Sequence, residues 1–296
     1  MRWSGGCIRT VASFIAAVYP YRMLDPDKLA LHADREHGAI RLLKQTEADL
    51  VVLKPAGMAT ELTSDPKGVS LVSRIRGALP EKARRDVRLV HRLDRPTRGV
   101  MLIALSRAAA AFYGEQIREG LWEKYYLARI AMPQRGVIRS LLGEHKAFIK
   151  EEEMRARLVR AGGKPSFLHI RAIEPAPERP GEAHVLIKLI TGRLHQIRVM
   201  LAGLGYPLIG DDFYGEAVRG EVGESEGPPK RGARTSRAAG AAPATRGDFY
   251  LEHIALWYVD FTTRDIVLAH DRDDPGRERV SPAMQKAIDS VLRPPM

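Results

Sequence analysis

One acidic side chain, Asp94, lies at the centre of a short polar segment between two apolar runs of the sequence. Arg92 and Arg95 flank it, and Pro96 and Gly99 favour a turn. The runs on either side are rich in Val, Leu and Ile and predict buried strands. A carboxylate held on such a loop among arginines stays ionised and is well placed for chemistry. A surface cluster of salt bridges at a turn explains these residues equally well.

A second segment combines a lysine and a tyrosine at a spacing that places them side by side. Residues 122–130 predict a strand whose period-two alternation puts Lys124 and Tyr126 on one face. An aromatic residue in a strand usually fills the core, so this segment alone does not indicate function.

A third segment carries an arginine in an unusual position. A strand is predicted at residues 183–190, and a turn at Thr191-Gly192 leads into a helix that begins near Arg193. Arg198 lies about 40° from Leu194 around this helix, on the shoulder of its apolar face. An arginine there requires an anionic partner, and Asp94 is the candidate. An amphipathic helix with a basic outer face is the alternative.

The composition favours a polyanionic partner. The chain of 296 residues carries a formal net charge of +11 and has a pI of about 9.9, which is typical of nucleic-acid-binding proteins. A solvated basic surface without such a role is the alternative. Cys7 is the single cysteine, which excludes an internal disulfide and a multi-cysteine zinc site. No apolar run approaches the roughly 20 residues that span a bilayer.

Several elements must position these residues. The sequence predicts a buried strand at residues 50–53 that runs into Lys54, helices at residues 69–79 and 106–119, and a C-terminal helix that Ser281 caps. Residues 131–162 are polar and do not favour one type of element.

Two stretches are predicted to lie outside the packed core. Residues 1–40 are predicted to form an N-terminal extension. It is either flexible, or it results from a start site assigned upstream of a natural start at Met23. The extension has some features of a transit peptide, which would make the protein organellar, but we predict an untargeted cytoplasmic protein. Residues 216–247 are a low-complexity tract too poor in apolar side chains to order, so we predict a disordered insertion.

Four motifs, in order, resemble those of the RluA-type pseudouridine synthases, which isomerise selected uridines in ribosomal or transfer RNA. Two departures stand out: the family usually has Ser at the position of Arg98, and a His near the position of Thr60. The matching motifs are Lys54-Pro55-Ala56-Gly57, His91 to Thr97 with Gly99, Lys124-x-Tyr126-x-Ala128, and Gly192 to Arg198.

The resemblance implies a fold, a domain and a reaction. The fold is α+β: a mixed, largely antiparallel central sheet with flanking helices and an RNA-binding cleft. Residues 41–296 form the catalytic domain. The reaction isomerises uridine in structured RNA, tRNA or rRNA, after the base is flipped out. It needs no cofactor and no metal, and the protein acts as a monomer without a membrane partner.

The resemblance also assigns roles to individual residues. Asp94 is the essential carboxylate, Arg198 pairs with it, and Tyr126 stacks on the flipped uracil. The predicted RNA-binding residues are Arg92, which fills the gap left by the extruded nucleotide, together with Lys54, Arg193 and Lys124.

Two other classes of function fit parts of the sequence. One is a catalytically silent RNA-binding or chaperone protein on the same scaffold, although Asp94 and Tyr126 are both present. The other is a glycoside hydrolase, but such enzymes usually need a second carboxylate, which no motif here offers. The motifs do not name the RNA or the uridine position.

Overall fold

Apolar strands, most of them paired antiparallel, form the centre of the protein. The computed structural model describes Leu24 and residues 38–61, 69–133, 135–215, 249–274 and 276–294. Most of the predicted N-terminal extension, and all of the predicted insertion at residues 216–247, lie outside these residues.

The described residues contain eleven strands and six helices. The strands are β1 (Arg41–Gln45), β2 (Asp49–Lys54), β3 (Arg88–Leu89), β4 (Arg98–Ala104), β5 (Glu123–Ala131), β6 (Gly143–Glu152), β7 (Arg155–Val159), β8 (Lys164–Pro175), β9 (Glu182–Leu189), β10 (Leu251–Val259) and β11 (Ile266–His270). The helices are α1 (Leu71–Ala78), α2 (Glu81–Arg84), α3 (Arg107–Arg118), α4 (Arg135–Leu141), α5 (Gln196–Gly203) and α6 (Pro282–Val291).

The chain divides into two compact units. The first unit comprises the described residues up to Trp122 together with Leu256–Arg272, and the second comprises those of Glu123–Ala255 and those from Asp273 onward. Strand β10 is divided, with residues 251–255 in the second unit and residues 256–259 in the first. The predicted catalytic domain, residues 41–296, therefore contains two units.

The first unit is built on the apolar runs that flank Asp94. Strand β2 pairs antiparallel with both β1 and β4, β3 pairs with β4, and β11 pairs with β10. Helix α3 packs against β4, and Tyr113 from this helix is fully buried. The Tyr113 hydroxyl donates a hydrogen bond to the buried Asp49 and accepts one from the Phe261 backbone N–H at 3.1 Å. This contact pairs two buried polar side chains inside an apolar core.

The second unit is a sheet in which β5, β9, β8, β6 and β7 follow one another. Helix α6 packs against β8 and β9, and α5 packs against β7. Residues 131–162, which the sequence left unassigned, form α4, β6 and β7. The α+β class with a largely antiparallel sheet is confirmed.

Alternation along β5 gives this sheet two distinct faces. On the face that we call the front face, Lys124 lies opposite Leu189, and Tyr126 lies opposite Ile187. On the back face, Tyr125 lies opposite Lys188. The prediction that Lys124 and Tyr126 share one face is confirmed.

Serine residues begin three of the helices. The side chains of Ser70, Ser106 and Ser281 each accept a hydrogen bond from a backbone N–H in the first turn of α1, α3 and α6, respectively. These helices are confirmed to within about two residues of the predicted bounds. The predicted start of α5 near Arg193 is wrong: the helix begins at Gln196, because His195 adopts the left-handed conformation with φ +51°.

Candidate active site

In the first unit, the Asp94 loop is anchored by a buried threonine. The Thr60 hydroxyl donates to the Leu93 carbonyl at 2.6 Å and accepts from the Leu93 N–H at 3.3 Å. The Thr97 N–H closes the turn by donating to the Asp94 carbonyl at 3.1 Å. Thr60 occupies the region where the family usually carries a His, so here a hydroxyl fixes the backbone beside Asp94, whose side chain stays partly exposed.

A buried lysine holds the same loop from the other side. Lys54 is only 1% exposed, and its Nζ donates to the carbonyls of Pro55, Met58 and Arg95 at 2.9, 2.7 and 3.3 Å. The ammonium therefore joins the turn after β2 to the residue that follows Asp94.

Two charges near Lys54 act on its protonation in opposite directions. Burial lowers the pKa of Lys54 to about 7, the negative charge of Asp94 opposes this shift, and Arg95 adds to it. The predicted contact between Lys54 and the RNA backbone does not fit this position, because the three donors of the ammonium are already used. The structure gives Lys54 a positioning role.

Two arginines of the Asp94 loop are exposed. Arg95 donates from Nε to the Gly57 carbonyl at 2.8 Å, which adds a second link between the loop and the turn after β2. Arg92 extends to the surface, as its predicted contact with RNA requires. Its place in the gap of an extruded nucleotide stays a prediction.

In the second unit, Tyr126 is buried on the front face and stacks on a histidine. The rings of Tyr126 and His253 are 4.6 Å apart between centroids and inclined by 17°. His253 is fully buried on β10. Sequence reasoning assigned His253 no role, and the stack joins residues more than 120 positions apart.

Lys124 and the turn before α5 lie next to one another. A Cβ on Gly192 would be 3.4 Å from the Lys124 Nζ, so the ammonium lies against this turn. Burial lowers the pKa of Lys124 to about 8. Gln196 fixes the turn, because its side-chain oxygen accepts from the Arg193 N–H at 3.0 Å and its amide donates to the Phe167 carbonyl at 2.9 Å. Arg193 is partly exposed beside Lys124, and the RNA-binding roles of both stay predictions.

Arg198 is buried, as its position on the helix predicted, and it has a carboxylate partner in its own unit. Its Nε and Nη2 donate to the two carboxylate oxygens of Asp211, each at 2.8 Å. The Asp211 carboxylate also accepts from the backbone N–H groups of Phe213 and Tyr214 at 2.9 and 3.2 Å. The argument that Arg198 requires Asp94 is therefore incomplete, since Asp211 meets that requirement.

Aromatic rings surround the same guanidinium. The centroids of Phe213, Tyr214 and Phe249 lie 5.2, 5.3 and 5.5 Å from the Arg198 Cζ. The Tyr214 hydroxyl is 2.9 Å from the His195 Nδ1. These contacts fix the side chain of Arg198 in one orientation.

The predicted site residues fall into two groups. Asp94, Arg92 and Lys54 belong to the first unit, and Lys124, Tyr126, Arg193 and Arg198 belong to the second. Their convergence in one groove stays a prediction. Sequence reasoning missed the supporting residues Thr60, His253 and Asp211, although Asp211 lies only 13 positions after Arg198.

The family described as RNA pseudouridylate synthase matches residues 49–203, which is more than half of the chain. The matched range holds all seven predicted site residues. The chain belongs to this family.

Curated relatives support the same assignment. The chain is 33% identical over 185 residues to the uncharacterized RNA pseudouridine synthase YhcT of Bacillus subtilis, with 61% of this chain and 59% of that protein covered. It is 32% identical over 178 residues to the dual-specificity RNA pseudouridine synthase RluA of Escherichia coli, with 58% of this chain and 76% of that protein covered. The ribosomal large subunit pseudouridine synthase C of Vibrio vulnificus is 34% identical over 167 residues, 56% of this chain and 50% of that protein. The chain thus spans between half and three fifths of the Bacillus and Vibrio proteins.

Solved structures show the same fold. Human RNA pseudouridylate synthase domain containing 1 superposes with a TM-score of 0.57 at 21% identity over 86% of this chain and 96% of that one. Human RNA pseudouridylate synthase domain containing 4 gives a TM-score of 0.55 at 20% identity over 86% and 94%. The protein has the pseudouridine synthase fold.

Two further findings concern the described residues alone. None of their helices combines the length and the apolar character needed to cross a membrane. Among the same residues, no three His, Cys, Asp or Glu side chains are grouped so that they could hold a metal ion.

The buried charge of Lys54 predicts a pH-dependent stability. The folded-state pKa of about 7 lies below the ordinary value of 10.5, so between these values the unfolded chain binds more protons. The contribution of Lys54 to the free energy of unfolding therefore rises with pH across this window and is lost as the pH falls through about 7. Urea unfolding gives the free energy of unfolding of wild type and of Lys54→Met. The difference, wild type minus variant, should rise between pH 7 and 9.5 by up to about 1.4 kcal/mol per pH unit.

The exposed Lys82 provides the matched control for this measurement. The difference between wild type and Lys82→Met should not change with pH. A difference for Lys54→Met that is equally independent of pH would contradict the assignment.

The Arg198–Asp211 pair predicts a large loss of stability when only its charge is removed. Asp211→Asn keeps the shape of the side chain but leaves the buried guanidinium without the carboxylate that two of its nitrogens contact. We expect the free energy of unfolding to fall by about 3 kcal/mol in urea unfolding at neutral pH. The exposed Asp289→Asn should change it by less than about 0.5 kcal/mol. Equal effects of the two substitutions would show that the pair is not important for stability.

Proposed function

We propose that this protein is an RNA pseudouridine synthase that isomerises selected uridines in structured RNA, either ribosomal or transfer RNA. The observation that carries the proposal is the Asp94 loop: its sequence matches the family signature, and Thr60, Lys54 and Arg95 hold its backbone from three sides. Relatives named as RNA pseudouridine synthases support it. The net charge of +11 suits a polyanionic substrate.

The reaction moves one bond and needs no group from outside the substrate. The bond between ribose C1′ and uracil N1 breaks, the base rotates, and a bond between C1′ and C5 forms. The proton on C5 leaves and N1 gains one, so product and substrate are isomers. Asp94 acts at this centre, by attack on the sugar or the base or by removal of a sugar proton.

The target base must first leave its stack, which costs a few kcal/mol. An aromatic platform returns about 1–3 kcal/mol per stacked base. In this proposal Tyr126 is that platform, and the stacked ring of His253 holds it in one orientation. Its hydroxyl assists in removing the C5 proton.

Arg198 is proposed as the cation that keeps Asp94 ionised. Asp211 accepts hydrogen bonds from the Nε and Nη2 of Arg198, and these two contacts fix the orientation of the guanidinium. Asp211 holds Arg198 in place for this role. Arg92 fills the gap left by the extruded nucleotide, and Lys124 and Arg193 bind the RNA.

Asp94→Asn should abolish pseudouridine formation while RNA affinity is retained, because the substitution removes a negative charge and keeps the shape of the side chain. The assay is incubation with total RNA followed by a pseudouridine-specific chemical label and mapping of the sites, together with filter binding of the same RNA. Mass alone does not serve, since the product is an isomer.

The exposed Asp265 lies in the same unit and supplies the control substitution Asp265→Asn, which should keep wild-type turnover. Turnover by Asp94→Asn near the wild-type rate would refute the assignment of the essential carboxylate. RNA annealing that survives in that variant, when wild type makes no pseudouridine, would instead favour the silent RNA-binding protein.

The stack on Tyr126 predicts a role for His253 in turnover. His253→Ala removes the ring that fixes the plane of Tyr126, so kcat should fall about tenfold or more while KM changes little. His253→Phe retains an aromatic ring and should recover most of kcat. Thermal unfolding of both variants checks that they are folded, and equal kcat values for the Ala and Phe variants would exclude a stacking role.

A further inference from the structure

The back face of the second unit exposes an aromatic and basic surface that the proposed reaction does not use. It lies on β6, β8 and the end of β9, where α6 does not cover the sheet. We call it the back-face patch, and it consists of Lys146, Phe148, Phe167, His169, Arg171 and Ile190.

The register of the strands places these side chains next to one another. Lys146 on β6 lies opposite Phe167 on β8, so Phe148 is the diagonal neighbour of Phe167. The Lys146 Nζ lies 5.4 Å from the centroid of the Phe148 ring and 5.6 Å from that of Phe167. Ile190, which is 42% exposed, donates its N–H to the Phe167 carbonyl and extends the apolar surface.

The next row across the sheet is polar and continues to β5. His169 lies opposite Lys188 on β9, and Lys188 lies opposite Tyr125. Tyr125 and Tyr126 point to opposite faces of β5, so the back-face patch lies on the other side of the sheet from the proposed uracil platform. It is a separate surface and not an extension of that site.

Of the acidic side chains of this surface, Glu144 on β6 lies opposite His169, while Glu123 and Glu152 form ion pairs. Glu123 accepts hydrogen bonds from Lys188 and Tyr125, and Glu152 at the far end of β6 pairs with Lys150 and Arg157. These pairs leave two patch cations, Lys146 and Arg171, and within the described residues neither has a carboxylate at ion-pair distance.

Arg171 follows Phe167 and His169 at alternate positions of β8, at a bulge between Ile170 and Ala172, and its charge acts on His169 and Glu123. Burial lowers the pKa of His169, and Arg171 and Lys188 lower it further, while Glu144 opposes the shift. The lowered pKa favours the neutral form of the His169 ring.

We propose that the back-face patch binds a single-stranded segment of RNA. Two part-exposed phenylalanine rings on neighbouring strands offer stacking surfaces for two bases. Lys146, whose Nζ lies over both rings, and Arg171, further along β8 beyond His169, supply positive charge for the phosphates. Charge complementarity selects this occupant, since the two cations Lys146 and Arg171 outnumber the one carboxylate of the described surface without an ion pair, Glu144, and lie on the same face as part-exposed rings, a combination that suits a flexible polyanion of stacking bases. The proposal is independent of the isomerase activity.

The test is the affinity of the full chain for a fluorescein-labelled oligocytidine of about 12 nucleotides, within the site size of small single-strand-binding surfaces. This probe contains no uridine, so it offers no target to the proposed reaction. Fluorescence anisotropy should show that Phe148→Ala with Phe167→Ala weakens binding about tenfold or more. Lys146→Gln should lower the slope of log affinity against log salt by about 0.7.

Matched controls separate the patch from general basicity and from misfolding. Leu121→Ala removes another exposed apolar side chain, Lys286→Gln removes another exposed lysine, and both should bind as wild type does. The paired Phe148→Leu and Phe167→Leu substitutions keep the apolar bulk and remove the rings, so they should weaken binding even where the alanine variant is unstable.

Each outcome decides the proposal. Binding by the ring-deficient variants within about twofold of wild type would overturn it, since stacking is worth more than that. Asp94→Asn should leave the affinity for oligocytidine unchanged. If wild type makes no pseudouridine but binds oligocytidine through these rings, the proposed function is refuted and this inference is supported.

Discussion

The buried ammonium of Lys54 is the contact on which the candidate site depends. Its three donors meet three carbonyls, two in the turn after β2 and one beside Asp94, so a single side chain joins the two motifs of the first unit. Burial disfavours its charge and the neighbouring Asp94 favours it. Asp94, the carboxylate assigned to catalysis, therefore helps to keep Lys54 charged, and Lys54 in turn holds the Asp94 loop. For this reason the position of the Asp94 loop is coupled to the charges of Asp94 and Lys54.

The second unit uses the same physical arrangement with different residues. Arg198 is a buried cation, and Asp211 supplies its charge while two backbone N–H groups hold the carboxylate in place. A buried charge pair of this kind contributes little net stability but strongly penalises any other arrangement. Such networks, when fully satisfied, hold functional side chains in one geometry before substrate arrives. The stack of His253 on Tyr126 orients a ring in the same unit by packing alone.

Local signals decided which parts of this structure the sequence could predict. The helices behind Ser70, Ser106 and Ser281 follow from caps and apolar spacing, which act over a few residues. The predicted start of α5 is wrong because His195 adopts a left-handed conformation, which its residue type does not indicate. Sequence reasoning did not predict β6 and β7, because charged residues on their exposed faces obscure the alternation of apolar and polar side chains. The burial of Lys54 and the partners of Arg198 and Tyr126 depend on chain segments far apart in sequence, which single-sequence patterns do not connect.

The register of β5 determines what each face of the second unit can do. Neighbouring residues on this strand serve opposite faces, with Tyr126 beside Ile187 and Tyr125 beside Lys188. A shift of one residue would exchange the two rings and bring the proposed uracil platform to the back face. Arg129 opposes such a shift, because this fully buried arginine forms ion pairs with Glu182 at the start of β9 and with Glu278 before α6. Moving β5 by one position would turn Arg129 away from both carboxylates and leave its charge buried, a cost of several kcal/mol. A charge cluster that takes no part in the proposed chemistry therefore fixes which tyrosine faces the front.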